Sequence, residues 1–220
     1  AMNSVSKKTL THNIGSVNSI LYAETSKRIY SASSDNSIII WDYLTGDKIG
    51  SMVGHTSSVF SLAWVNATTI VSGSWDSCIK LWDITTRTCI KTFKPHTDYV
   101  ISVAVTPDGD HVISGSGDKT IKITNITTGE CVHTLSHHSD WVYKVSISPD
   151  GRLIGSGGYD EMFFLHEVSP LFPILIHEGY LSSATEENKT FRLYSDGIIR
   201  LFDGLSTSII TTITPSTMCS

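Results

Sequence analysis

Residues Gly54 to Asp83 read GHTSSVFSLAWVNATTIVSGSWDSCIKLWD, and the rest of the chain reads as copies of this stretch, decayed copies of it, or ends. Sliding it along the sequence exposes a period: Asp35, Asp76, Asp118, Asp160 and Asp196 follow one another at 41, 42, 42 and 36 residues. Six residues after each Asp stand Trp41, Trp82, Thr124, His166 and Phe202, and four before each stand Ser31, Ser72, Ser114, Ser156 and Arg192. Upstream lie His12, His55, His96 and His138. A fixed period in this range, kept by several residue types in phase, means a repeat architecture.

Within a unit, short β-branched and aromatic runs alternate with turn residues, and no stretch carries a helical period. In the second unit the strands are VFSLAW, TIVSGS, CIKLWD and TCIKTFK, and Pro107-Asp108-Gly109 and Pro149-Asp150-Gly151 pre-set reversals in the next two units. Each unit is thus a four-stranded antiparallel meander. Such a sheet cannot bury both faces alone, so it stacks on its neighbours, and radial stacking gives an all-β propeller.

The pairs Gly54-His55 and Trp82-Asp83, with Ser72 and Asp76 between, resemble the WD-repeat β-propellers over roughly residues 7 to 214. The resemblance implies a hydrogen-bonded chain of His55, Ser72, Asp76 and Trp82 inside one blade. It extends to His12, Ser31, Asp35 and Trp41 in the first unit, His96, Ser114 and Asp118 in the third, and His138, Ser156 and Asp160 in the fourth. Five recognisable units are expected in a single domain spanning 1-220, with blades at about 15-52, 55-94, 96-135, 138-178 and 179-214, an extra strand at 7-12 and a cloning remnant at 1-2. The third unit has Thr124-Asn125 in place of Trp-Asp, a threonine that can still hydrogen-bond, and the fourth has His166-Glu167 with its last strand interrupted by Pro170 and Pro173. The fifth has no matching His, and Arg192 replaces the serine.

Two segments, KKTLTH (7-12) and SIITTIT (208-214), both read as the fourth strand of a blade. Either five blades close as a monomer, which is the expectation, or the ring is incomplete and strand addition from a partner or second copy completes it.

Ser, His and Asp in one unit suggest a hydrolase triad, but a triad occurs once and this set recurs in phase, so no catalytic residue is assigned. The four cysteines form no CxxC pair and the nine histidines no pair at metal spacing, so neither metal nor cofactor is expected. Cys89 and Cys131, 42 residues apart, are expected to be small buried hydrophobes at equivalent strand positions. A net charge of -5 argues against the electropositive footprint of a nucleic-acid binder. No apolar run approaches the roughly 20 residues of a membrane span, and a soluble protein of the cytoplasm, or the nucleus, is the default.

The expected function is a non-catalytic scaffold that binds a protein or peptide, as a subunit of a larger complex. The resemblance places the loops between units and the Asp-bearing turns on one face. There stand Trp75, Tyr99, Trp141 and Tyr159, with Phe60 and Tyr143 beside them. Trp and Tyr supply large contact area with few rotatable bonds, which suits them to interfaces.

Overall fold

The computed structural model describes residues 10, 15–168, 182–186, 189–193, 199–203 and 209–213. Among them every regular element is a β-strand. The chain divides by its contacts into two compact units, Ala1–Val103 and Ala104–Ser220.

The first unit carries two sheets. Strands β1 (Val17–Ala23), β2 (Arg28–Ser33), β3 (Ser37–Asp42) and β4 (Lys48–Val53) pair in chain order, as do β5 (Val59–Asn66), β6 (Thr69–Ser74), β7 (Ile79–Asp83) and β8 (Thr88–Phe93). Tyr30, Ile38, Ile40 and Met52 of the one and Val59, Leu62, Ile70 and Trp82 of the other form a common core. Polar ties join the sheets as well: the Leu62 N–H donates to Ser19 Oγ at 3.2 Å, and the Asn18 amide donates to the Val59 carbonyl at 2.9 Å. Gly73, next to last in β6, lets the next stretch of chain approach closely. A Cβ there would stand 2.7 Å from Val100 and 2.9 Å from Val103, too near for an unshifted methyl group.

The third sheet has the order β12-β11-β10-β9, and the division between the units falls within its first strand, β9 (Val100–Val105). It continues through β10 (His111–Ser116), β11 (Ile121–Asn125) and β12 (Cys131–Leu135). The fourth sheet comprises β13 (Val142–Ile147), β14 (Leu153–Gly158) and β15 (Phe163–Glu167). Ile113, Ile121 and Leu135 pack with Val142, Val145 and Ile154 in the core of the second unit. Gly115 repeats the role of Gly73, since a Cβ on it would stand 2.7 Å from Val142. The fifth sheet pairs β16 (Ser182–Glu186), β17 (Lys189–Leu193), β18 (Ile199–Asp203) and β19 (Ile209–Ile213) in that order. The segment SIITTIT thus supplies the last strand of this sheet. His12, KKTLTH apart from Leu10, and the proline-interrupted stretch after Val168 lie outside the described residues.

Turn chemistry explains why the meanders reverse where they do. In the hairpins between second and third strands, Asn36, Ser77, Lys119 and Glu161 adopt φ of 72°, 66°, 70° and 62°. Each directly follows a repeat Asp. The carboxylates of Asp35, Asp76, Asp118 and Asp160 accept the N–H of Ser37, Cys78, Thr120 and Met162, two residues on, and thereby hold the left-handed residue in place. At the Pro-Asp-Gly turns the chain reverses through Gly109 (φ 78°) and Gly151 (φ 76°).

One expectation is corrected. Cys89 and Cys131 are exposed, not buried, on the last strands of the second and third sheets. In β8 and β12 most side chains face solvent, because a fourth strand is flanked by a neighbour on one side only. Both cysteines are free thiols.

Candidate binding surface

The phase-locked polar residues come together in the second sheet. His55 Nδ1 lies 2.7 Å from Asp76 Oδ2, His55 Nε2 lies 2.7 Å from Ser72 Oγ, and the Trp82 indole N–H donates to Ser72 Oγ at 2.8 Å. The protons can be placed from what each group is able to do. A carboxylate only accepts, so His55 donates through Nδ1. Its Nε2 then accepts from the Ser72 hydroxyl, whose oxygen accepts from Trp82. Every member is satisfied in a single direction, Trp82 to Ser72 to His55 to Asp76. Burial works against ionisation of Asp76, but hydrogen bonds from His55 and from the Thr56 and Cys78 N–H groups outweigh it and hold the carboxyl well below its usual range.

The order Asp-His-Ser is also that of a hydrolase triad, yet Ser72 is wholly buried and already bonded on both sides. No substrate carbonyl can reach it. The fourth sheet repeats the set, with His138 Nδ1 2.8 Å from Asp160 Oδ2 and His138 Nε2 3.0 Å from Ser156 Oγ. Asp160 titrates below its ordinary value too: burial opposes ionisation, and the N–H groups of Ser139 and Met162 together with His138 overcome it.

The first and third sheets carry related hydrogen bonds. In the first sheet the Trp41 indole donates to Ser31 Oγ at 2.8 Å. In the third, Ser114 Oγ donates to the Lys122 carbonyl at 3.3 Å, His96 is buried, and Asp118 holds its turn. Register aligns the departures: Trp41 pairs with Ile29 and Trp82 with Ile70, and at the matching places Thr124 pairs with Val112 and His166 with Ile154. The hydrogen bond expected of Thr124 is not made; its Oγ1 is buried without a partner. A threonine at the tryptophan position is too short to span to the serine on the neighbouring strand. His166 is buried with Nε2 also unpartnered, and burial, then the neighbouring His137 and His138, push its pKa down to about 4. Phe164 stands edge-on to His138 at 4.6 Å, filling space on this sheet that sequence reasoning left unassigned.

The aromatic residues named from sequence form two groups. In the first unit Trp75 is sandwiched, with Phe60 stacked at 4.7 Å and 7° on one side and Tyr99 at 4.8 Å and 21° on the other. Both indole faces are therefore occupied within the chain, and Trp75 is 36% exposed. In the second unit Tyr159 meets Trp141 at 5.9 Å and Tyr143 at 5.4 Å, both edge-to-face. Tyr143 and Tyr159 are 54% and 59% exposed. Among the described residues no group of three or more His, Cys, Asp or Glu is placed to hold a metal ion.

The sequence family described as WD domain, G-beta repeat, matches residues 4–42, 46–83, 87–125 and 129–166, more than half of the chain. The chain belongs to the WD-repeat family. No curated protein matches it. WD-repeat domains in general are scaffolds that mediate protein interactions, and the repeats support that coarse class here. Four WD repeats are matched where the sequence reading counts five; the fifth unit, which lacks the His and Ser of the others, lies outside them. Each matched WD repeat from the second onward is out of phase with the sheets. The segment 46–83 contributes β4 to the first sheet and β5, β6 and β7 to the second, so every such repeat is laced into two sheets. Among the described residues no helix is long and apolar enough to cross a membrane.

Proposed function

We propose that this WD-repeat chain is a non-catalytic subunit of a protein assembly and that it holds a protein or peptide partner on its aromatic-bearing turns. The observation that carries the reading is the exposure of Tyr143 and Tyr159, with Tyr159 held edge-to-face by both Tyr143 and Trp141. Large rings held rigid yet open to solvent lose little entropy on binding and bury much area, which is the profile of an interface anchor. Trp75 has a different part in this reading: clamped between Phe60 and Tyr99, it offers its edge, and the three rings act as one rigid wall. The scaffold role also gives the His-Ser-Asp-Trp chain its purpose, since a fully satisfied buried network keeps such turns in fixed positions.

Hydrogen exchange with and without a partner recovered by affinity purification from the native cell tests this. Slowed exchange in the turns at Trp141 to Tyr143 and at Tyr159 is the expected result. Protection confined to β1 or β19 would instead mean that the partner adds a strand to a sheet edge, and the proposed face would be wrong.

A further inference from the structure

A groove of about 610 Å³ opens in the first unit between its two sheets, among the β1–β2, β5–β6 and β7–β8 turns and away from the Asp-bearing hairpins. Its walls include Tyr22, Trp64 and Ile84, and its charged lining residues are Arg28 and Arg87, with no carboxylate among them. Neither arginine makes an ion pair among the described residues. A groove of about 540 Å³ stands at the corresponding turns of the second unit, and there Asp108 and Asp150 share the walls with His111 and Arg152. Cationic charge is thus balanced in one groove and left unbalanced in the other.

Two further observations point to a ligand. Tyr30 lines the first groove with its side chain wholly buried, and its hydroxyl has no hydrogen-bond partner. Burial raises the pKa of this hydroxyl, while the Arg28 guanidinium, which approaches it just short of good hydrogen-bond geometry, and then the charges of Arg28 and Arg87 act to lower it, so both guanidiniums stand close to it. A buried hydroxyl left without a partner costs about 1–3 kcal/mol.

Arg87, for its part, sits at φ 62°, where the equivalent turns place Gly46 (φ 78°) and Gly129 (φ 84°). A side chain at such a position costs about 1 kcal/mol. Its guanidinium reaches back to the first sheet and donates to the Ile49 carbonyl at 3.1 Å. Gly50 leaves the room it needs, since a Cβ there would run into the guanidinium. Strain of this kind, kept to bring a cation beside a second cation and an unpartnered hydroxyl, is explained by a ligand that uses all three.

We propose that this groove is a binding site for a small organic anion, its phosphate or carboxylate taken by Arg28 and Arg87 with the Tyr30 hydroxyl as third donor, and its apolar body lying against Tyr22 and Trp64. The volume falls in the range of small-ligand pockets, and the pattern of apolar walls with a few convergent polar groups is theirs too. Guanidinium forks suit the planar or tetrahedral oxygens of such a head group.

Calorimetric titration of the full chain with phenyl phosphate and with 3-phenylpropionate tests the site, and the probe that binds identifies the head group. Saturable binding of at least one is expected. Arg87→Gly, which restores the residue type of the sister turns, should weaken it about tenfold or more with little change in melting temperature. Gly50→Ala should weaken it by displacing the guanidinium without removing charge. Tyr30→Phe should weaken it several-fold while the free chain melts no lower, an outcome that a merely structural hydroxyl would not give. No saturable binding of either probe, or unchanged affinity in Arg87→Gly, would overturn the proposal. So would equal binding of inorganic phosphate by wild type and Arg87→Gly, which marks an adventitious ion only.

Discussion

At the scale of single residues, the same polar atoms carry opposite energetic meanings in different units. Asp76 accepts from His55, Thr56 and Cys78, so truncating it strips three donors of their partner at once. Asp76→Ala should destabilise the fold by about 1–3 kcal/mol, read as a lower melting temperature, and an unchanged melt would refute the network's role. His166 tells the reverse story. Buried with a bare Nε2, it keeps its proton off until about pH 4, whereas an unfolded histidine titrates near 6.5. Between those values the unfolded chain binds the extra proton, so stability falls as the pH drops from 6.5 towards 4, by on the order of 2–3 kcal/mol over the whole interval. His166→Phe should flatten that decline in a series of melts. Asp76 and Asp160 act in a lower window: their carboxyls are held below the ordinary 3.8, so their contribution is intact above that value and is lost as the pH falls further. A decline between 6.5 and 4 that survives in His166→Phe would place its source elsewhere.

At the scale of elements, sheets pack closely where glycine stands on the second strand. Gly73→Ala would drive a methyl group against Val100 and Val103, and Gly115→Ala would do the same against Val142 and Val145. Each should cost about 1–3 kcal/mol, because the facing valines are β-branched and cannot turn aside cheaply. Denaturant melts with an unaltered slope would show that stability, rather than compactness, had changed. The strands and turns were largely readable beforehand. Alternation of apolar residues and the Asp-anchored reversals specify β5 to β8 almost residue by residue, since both signals are local. The exposure of Cys89 and Cys131 was not readable, because a recurring position says that two residues are equivalent without saying which face they occupy. Thr124 was misjudged for a related reason: its hydroxyl is able to hydrogen-bond, but the span to the serine is fixed by register between strands.

At the scale of the whole molecule, the richest polar stretch of the sequence fastens the fold, and the candidate surface lies beside it. Sequence alone selects Trp75, Tyr99, Trp141 and Tyr159 by their place next to the repeat Asp and His. Sequence does not reveal that Phe60 and Tyr99 occupy both faces of Trp75, nor that Tyr143 and Tyr159 stay open, because ring stacking depends on side-chain geometry across loops. The groove bearing Arg28 and Arg87 escaped sequence reading altogether, although one signal was there: an arginine where sister turns have Gly46 and Gly129. Partner capture from native-cell extract, quantified by mass spectrometry for wild type and for Tyr143→Ser/Tyr159→Ser, tests the central claim most directly. The double variant should melt like wild type and lose the partner; capture in equal amount by both proteins would contradict a scaffold that works through this surface.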